Sequence, residues 1–425
     1  MHETDYKIIC GQLIGYYRQE YYHKTHNYQY TQRGMIEKSK DEKAFDHQKY
    51  LCSTTTLRHI EKGFCHRKEE LYEALAKKIH KSHFYSRRYH GILNKLYKDI
   101  YQSIESMKLD KMREALEILS GLSFQNLLFY DEVRLILQDF LLFYLFQKLP
   151  DIETIKLYQA IYPFFSSCYQ KLMLHLLCEY YRCIDFKPAF IQRFLKNFVW
   201  DKKDFLYIYT YVPFLISRQQ HLFAQRLLRN LRQTDTFKQY PYMQFYYYHM
   251  QACILTNIDF EAANQYMEKC SVILNGKFEF AKHHHAAFYH NCGLRELFRH
   301  HYEKALDYFQ KGISFHPLSI FRMLPYIYEA SLFCNQSVLS TAIAMASMLK
   351  MPSGLYLDYY LYFSKRVILQ LKDEVMVNYL KKMIIHKILP VLQIEGQQAY
   401  YSSYLHALFN RELQTLNQIS HSLKK

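Results

Sequence analysis

The chain contains few of the residues that interrupt regular helices. Of its 425 residues, 11 are glycine and 9 are proline. Turn-dense β architectures and glycine-rich nucleotide loops both depend on such residues, because they adopt or impose backbone conformations that other residues avoid. Their scarcity argues against both classes, while 50% hydrophobic and 22% charged residues are typical of a folded chain. The composition therefore predicts an all-α protein.

Long uninterrupted apolar segments are also missing. The densest one, residues 135–149, is broken by polar and charged residues such as Asp139 and Lys148, whereas a bilayer-spanning helix needs roughly 20 apolar residues in succession. The first residues, Met1–Asp5, do not show the basic and then apolar pattern of a signal peptide. We therefore expect a cytoplasmic protein with no membrane partner.

Sequence signatures of catalysis and metal binding are absent. The ten cysteines form no C-x-x-C pair, which argues against a zinc finger or a disulfide framework and predicts mostly buried thiols. His283, His284 and His285 are consecutive, and neighbouring residues on a helix point about 100° apart, so they do not converge on one ion. No nucleophile elbow, phosphate-binding loop or kinase signature occurs. We expect no enzymatic activity, no metal and no cofactor.

Positive charge is what the chain has in excess. It contains 55 Lys and Arg against 39 Asp and Glu, a formal net charge of +16. Residues 1–100 hold 19 basic and 12 acidic residues and so supply +7 of this excess. A local basic excess favours an anionic partner, although a run of basic residues alone is more often a solvated helix face.

The N-terminal hundred residues show a succession of short helical patterns. Residues 7–21 carry apolar side chains at helical spacing, and a polar, tyrosine-rich segment with a second short helix follows. Ser53 is a suitable N-cap for a helix that closes at Gly63 after a basic last turn. A further amphipathic helix is predicted over Lys68–His80.

This region resembles the lambda-repressor-like helix-turn-helix of bacterial and phage regulators. The resemblance is carried by Gly11, Arg18, Thr31-Gln32 and the run Cys52-Ser53-x-x-x-Leu57-x-x-Ile60-Glu61-x-Gly63. In that family a compact five-helix domain places its third helix in the major groove, and an Arg–Glu pair, matched here by Arg18 and Glu61, has a structural role. The resemblance therefore implies a double-stranded DNA site at Ser53, Thr54, Thr55, Arg58, His59, Arg67 and Lys68. An insertion lies between the second and third helices.

The rest of the chain is periodic. A polar or acidic residue, an aromatic or apolar residue, two variable positions and a small or apolar residue recur, with the last position at Ala115, Ile155, Ala189, Ala224, Ala263, Ala305 and Ala342. The tetratricopeptide repeat has a period of about 34 residues. The best copy, residues 288–317, has that repeat's spacing of Gly293, Ala305, Phe309 and Pro317. The pattern predicts about seven tetratricopeptide-like helix pairs in a right-handed α-solenoid.

A curved array of helix pairs lines its concave surface with the first helix of each pair, where extended peptides dock. Tyrosine, asparagine and glutamine suit that role, because tyrosine offers contact area and an amide both donates to and accepts from a peptide backbone. The alternative at each position is ordinary packing or surface. The predicted peptide-binding residues are Tyr209, Thr210, Tyr248, Gln251, His290, Asn291, Tyr328 and Asn335.

The two parts together resemble the peptide-pheromone-responsive regulators of Gram-positive bacteria and their phages, of the Rgg, PlcR and PrgX types. The resemblance implies a homodimeric, quorum-sensing transcriptional regulator in which a short signalling peptide changes dimer geometry and DNA binding. The alternative is a helical-repeat scaffold for protein–protein interaction that does not bind DNA. The predicted organisation is a helix-turn-helix domain at 1–82, a linker helix at 83–107, repeats at 108–350 and a C-terminal helical cap at 351–425.

Overall fold

The computed structural model describes residues 2–38, 50–124, 126–183, 188–197, 201–256, 258–276, 279–334, 337–352, 354–369, 373–392 and 400–423. In these ranges every regular element is a helix, and the only β-type pairings are two isolated bridges. The predicted all-α class is therefore confirmed. Within the same ranges, no helix combines the length and the apolar character needed to cross a membrane.

The chain divides into two compact units. The first comprises residues 1–104 and 108–178, and the second comprises residues 105–107 and 179–425. The helices up to the end of the first unit are α1 (Glu3–Thr25), α2 (Gln32–Ile36), α3 (Thr54–Glu61), α4 (Glu69–Lys78), α5 (Arg87–Ser106), α6 (Leu109–Gly121), α7 (Tyr130–Phe146), α8 (Ile152–Ile161) and α9 (Ser167–Cys183).

Aromatic side chains form the centre of the first unit. Tyr6 on α1 is fully buried, and its ring lies 5.8 Å from that of Phe129 and 5.4 Å from that of Tyr130. The Tyr6 hydroxyl donates to the carbonyl of Phe84 at 3.1 Å. Buried tyrosines need such a polar partner, because an unpaired hydroxyl loses its hydrogen bonds to water. These contacts join α1 to the segments on either side of α5 and α6.

The second unit consists of successive helices. They are α10 (Pro188–Asn197), α11 (Phe205–Ser217), α12 (His221–Arg232), α13 (Asp235–Gln239), α14 (Pro241–Leu255), α15 (Phe260–Leu274), α16 (Lys282–Phe298), α17 (Tyr302–Phe315), α18 (Ile320–Phe333), α19 (Ser337–Ser347), α20 (Leu355–Val367), α21 (Glu374–Met383), α22 (Leu389–Leu392) and α23 (Tyr400–Leu423). A short π-helical turn, Ile384–Ile388, connects α21 to α22. Helices α11 and α12, α14 and α15, α16 and α17, and α18 and α19 pack as pairs.

The small or apolar residue of the sequence period lies at a buried helical position wherever its side chain is described. Ala224, Ala263 and Ala305 are fully buried near the start of the second helix of a pair. In the best-formed pair, a Cβ added to Gly293 would lie 2.5 Å from a ring carbon of Phe309. Helices α16 and α17 are therefore so close at this contact that an alanine at position 293 would require the buried Phe309 ring to move. The recurring small or apolar residue therefore indicates where the two helices of a pair are in contact.

The C-terminal helix α23 is attached to the second unit by a buried carboxylate. Glu412 is 6% exposed and accepts hydrogen bonds from the hydroxyls of Tyr328, at 2.5 Å, and Tyr362, at 2.8 Å. It also pairs with Nε of Arg366 at 2.8 Å. A buried carboxylate with three donors is well compensated. Together with buried Phe409 and Leu416 of α23, this network fixes the position of α23 against α18 and α20.

Candidate functional site

Helix α3 is delimited by local sequence signals. Its N-cap is Ser53, whose Oγ accepts a hydrogen bond from the backbone N–H of Thr56 at 3.0 Å. The helix ends at Glu61, and Gly63 follows with a φ of +87°. Residues with side chains rarely adopt that conformation, so glycine is suited to this turn. The predicted start and end of the helix are therefore confirmed.

The two ends of the insertion before α3 are in contact with each other. Glu37 and Tyr50 form an isolated antiparallel bridge, and the N–H of Leu51 donates to the carbonyl of Ile36 at 2.7 Å. The end of α2 is thereby held beside the segment that leads into α3, whatever the length of chain between them. Residues 39–49 lie outside the described ranges.

Helices α1 and α3 cross at unusually short range. A Cβ added to Gly11 would lie 2.5 Å from the carbonyl oxygen of Ile60, and one added to Gly15 would lie 3.0 Å from Cβ of Glu61. Leu57 and Ile60 are the buried residues of α3. Two glycines four positions apart on α1 thus allow α3 to pack directly against the α1 backbone, which fixes the orientation of the opposite face of α3.

A buried ion pair fixes the C-terminal end of α3. Arg18 on α1 contacts Glu61 through two hydrogen bonds, Nε to Oε1 at 2.5 Å and Nη2 to Oε2 at 3.1 Å. Both side chains are about nine-tenths buried. The remaining nitrogen of Arg18, Nη1, donates to the carbonyl of Tyr30 just before α2. The pair therefore joins α1, α3 and the segment before α2, which gives it a positioning role.

The face of α3 that points away from α1 is exposed and polar. Thr55, Arg58 and His59 are exposed, whereas Thr54 is half-buried. The guanidinium Nε of Arg58 donates to Oε1 of Gln32 on α2 at 2.8 Å. Side chains of α1, α2 and α3, and of the residue that follows α3, line a shallow depression here, namely Gln19, Gln32, Arg58, Glu61 and Lys62. Ser53, which is also a predicted DNA contact, is exposed, and its hydroxyl oxygen caps the start of α3.

The surroundings of α3 are cationic. Arg58, Lys62, Arg67 and Lys68 are all exposed, and none of them forms an ion pair with a carboxylate in the part of the chain that the structure describes. Arg67 and Lys68 lie in the connection between α3 and α4, so they flank the helix and do not belong to it. The one carboxylate in the depression, that of Glu61, is neutralised by Arg18. The exposed face therefore presents uncompensated positive charge.

The predicted peptide contacts do not form one open surface. Tyr209, Tyr248 and Asn291 are partly exposed, and Asn335 lies outside the described residues. Buried positions account for the remaining predicted contacts: Thr210, Gln251, His290 and Tyr328. Their first helices are covered by neighbouring helices, and the hydroxyl of Tyr328 is already engaged by Glu412.

Three of the first helices bring polar side chains together. On α16, Nδ2 of Asn291 lies 2.8 Å from Nε2 of His249 and 3.3 Å from Sγ of Cys253, both on α14. On α18, Nη2 of Arg322 lies 2.6 Å from Nδ1 of His290. His249, Cys253 and Arg322 were not among the predicted residues, because the sequence period does not show which side chains of different helices meet. We call these five residues the inter-helix polar cluster.

Both imidazoles of this cluster are uncharged near neutral pH. Burial, reinforced by the charge of Arg322, lowers the pKa of His249 to about 4. The same two causes place the pKa of His290 well below its usual value. Nδ1 of His290 therefore accepts a hydrogen bond from Arg322. In the described ranges, no three His, Cys, Asp or Glu side chains are arranged to hold a metal ion.

Comparison with known proteins adds no family assignment. No protein-family model matches the chain, and no curated protein matches it.

Proposed function

We propose that the first unit binds double-stranded DNA in a sequence-selective way, with α3 as the helix that enters the major groove. One observation carries the proposal. The exposed face of α3, with Thr55, Arg58 and His59, has uncompensated positive charge, while its other face is held against α1 by the crossing at Gly11 and by the Arg18–Glu61 pair. Base readout needs such a rigidly positioned polar helix.

Arg58 and His59 read base edges in this proposal, because an arginine can form two hydrogen bonds to a guanine. Thr54 and Thr55 contact bases or phosphates at the start of the helix, where Ser53 remains the cap. Arg67 and Lys68 neutralise phosphates beside the groove. The contact between Arg58 and Gln32 orients the guanidinium before DNA is bound, which lowers the entropy lost on binding.

The proposed biological role is that of a cytoplasmic transcriptional regulator that acts as a homodimer and responds to a peptide bound by the second unit. Two-fold pairing doubles the number of base pairs read, which a single helix-turn-helix needs for a selective site. The paired helices of the second unit, with buried small residues at each pairing contact, support the tetratricopeptide-like part of the proposal. Sedimentation velocity at micromolar protein, with and without DNA, tests the dimer.

The decisive experiment selects a DNA site from a random duplex library and then measures its affinity by fluorescence anisotropy at several salt concentrations. We expect the Arg58→Ala/His59→Ala variant to lose about 1–3 kcal/mol for each good base contact and to lose preference for the selected site. Arg229→Ala, which removes an exposed helical arginine of the second unit, is the matched control and should bind like the parent.

Two outcomes would contradict the proposal. If no site is enriched and affinity for random duplex is negligible at low salt, the chain is a repeat scaffold that binds another protein. If a site is selected but the double variant footprints it like the parent, DNA is bound elsewhere on the molecule.

A further inference from the structure

We propose that the inter-helix polar cluster, together with Arg295 on α16, binds a carboxylate group of a peptide. This inference deepens the proposed function, because it assumes that the second unit takes a peptide and names the group recognised there. It does not depend on DNA binding by the first unit.

Arg322 carries a positive charge without a negative partner. Its side chain is half-buried on α18, and its hydrogen-bond partner is the neutral imidazole of His290. No carboxylate in the described ranges forms an ion pair with it. Glu329, on the same helix, pairs instead with Arg411 at 2.6 Å. The guanidinium therefore keeps donors that no acidic side chain satisfies.

Arg295 is a second arginine without a carboxylate partner in the described ranges. It is 8% exposed, hydrogen-bonds to the amide oxygen of Asn264, and stacks on the ring of Phe260 at 4.6 Å. Its Nε is buried and has no hydrogen-bond partner. No carboxylate among the described residues forms an ion pair with Arg295, and the adjacent Glu296 directs Oε2 to Nδ1 of His301 at 2.8 Å.

Both arginine side chains lie next to Asn291 in the structure. Arg295 follows Asn291 by four positions on α16, one turn further along the same face, and Arg322 contacts His290, the residue before Asn291. Burial raises the pKa of Cys253 to about 12, and the positive charges of Arg295 and Arg322 both oppose that increase. Cys253 is hydrogen-bonded to Asn291. The amide of Asn291 thus lies in a field produced by two cations, among imidazoles that add no charge of their own.

An anion beside Asn291 would pair with the guanidinium groups of Arg322 and Arg295, which have no carboxylate partner in the described residues. Buried or half-buried charges are costly unless they are paired, and a guanidinium pairs with a carboxylate through two parallel hydrogen bonds. A guanidinium forms such a pair with a carboxylate or with a phosphate, and of these two groups an unmodified peptide carries the carboxylate. Because Nδ2 of Asn291 already contacts His249 and Cys253, its Oδ1 is the atom that can accept a hydrogen bond from the peptide backbone next to that carboxylate. The ligand class is therefore a peptide with a free carboxylate at the contact.

The test uses the full chain and simple probes at constant ionic strength. Thermal melting is followed in sodium chloride and with part of the chloride replaced by acetate, by inorganic phosphate, or, as an uncharged analogue, with acetamide added. We expect acetate to raise the Tm by about 3 °C once it reaches roughly ten times its Kd, and acetamide to leave it unchanged.

Arg322→Gln is the test variant, and Arg226→Gln, which removes an exposed arginine of α12, is the matched control. The control should keep the full response to acetate, and Arg322→Gln should lose it. Arg322→Lys keeps the charge and should keep part of the response, which separates ligand binding from a folding defect. An equal acetate response in Arg322→Gln would overturn the proposal, as would a larger response to phosphate than to acetate in the parent.

Discussion

The close crossing of α1 and α3 predicts opposite effects for two identical substitutions. In a helix, alanine is more favourable than glycine by about 1 kcal/mol. At Gly91 on α5 an added methyl group has no neighbour within 4 Å, so Gly91→Ala should stabilise the first unit by about that amount. At Gly11 the same methyl group would lie 2.5 Å from the carbonyl oxygen and 2.9 Å from Cγ2 of Ile60.

Carbon atoms pack best at about 3.5 Å or more, so Gly11→Ala must push α3 away from α1. Overpacking a buried contact costs about 1–3 kcal/mol, and a rigid backbone neighbour places this case at the upper end. After subtraction of the gain in helix propensity, we expect a net loss of about 2 kcal/mol, which corresponds to roughly a thirtyfold increase in local opening.

Hydrogen exchange measured by mass spectrometry on peptides covering residues 53–63 is the appropriate assay, because the chain has two units and need not unfold in one step. Exchange in this segment should accelerate in Gly11→Ala and slow or stay unchanged in Gly91→Ala. The affinity of Gly11→Ala for the selected DNA site should fall as well. If Gly11→Ala protects the segment as Gly91→Ala does, the close crossing is wrong.

Three further predictions concern buried charges. Glu61→Met should destabilise the first unit by about 3 kcal/mol, because it leaves the buried charge of Arg18 without a partner. Adding Arg18→Met should restore most of the lost stability, since it removes that charge. Urea unfolding of the single and double variants in a double-mutant cycle measures both effects. Burial lowers the pKa of His83 to about 4, although its Nδ1 lies 3.2 Å from the carboxylate of Glu69. The unfolded state therefore takes up the proton at a higher pH than the folded state, and the free energy of unfolding should fall by up to about 3 kcal/mol between about pH 6.5 and 4. In His83→Phe this loss should disappear. Glu412→Ala leaves two tyrosine hydroxyls and a guanidinium unpaired and should cost about 3 kcal/mol in thermal melting, whereas the exposed neighbour change Gln414→Ala should have almost no effect.

Much of the first unit could be predicted because its signals are local. A serine cap, a glycine after the last turn and two apolar residues on one face are sufficient to define α3, and each depends on neighbours within a few positions. The pairing of Arg18 with Glu61 was predicted only from the resemblance, since 43 positions separate the two residues. The structure places them in direct contact. DNA binding itself stays a prediction.

In the second unit, the sequence by itself determined where helices touch within a pair. The recurring small residue is buried at Ala224, Ala263 and Ala305, because close contact between paired helices excludes larger side chains. Periodicity assigns a residue to a face of its own helix. It carries no information about which other helix covers that face.

Only the tertiary structure decided which polar residues are enclosed. Tyr328 was predicted to line an open surface, but α23, far along the chain, supplies Glu412 to its hydroxyl. In the same way, Arg322 reaches His290 from a different helix pair, and Asn291 reaches His249. Such contacts join residues tens of positions apart, and they arise because each first helix packs both on its own partner and on the helices of neighbouring pairs, a three-dimensional arrangement that no local pattern encodes.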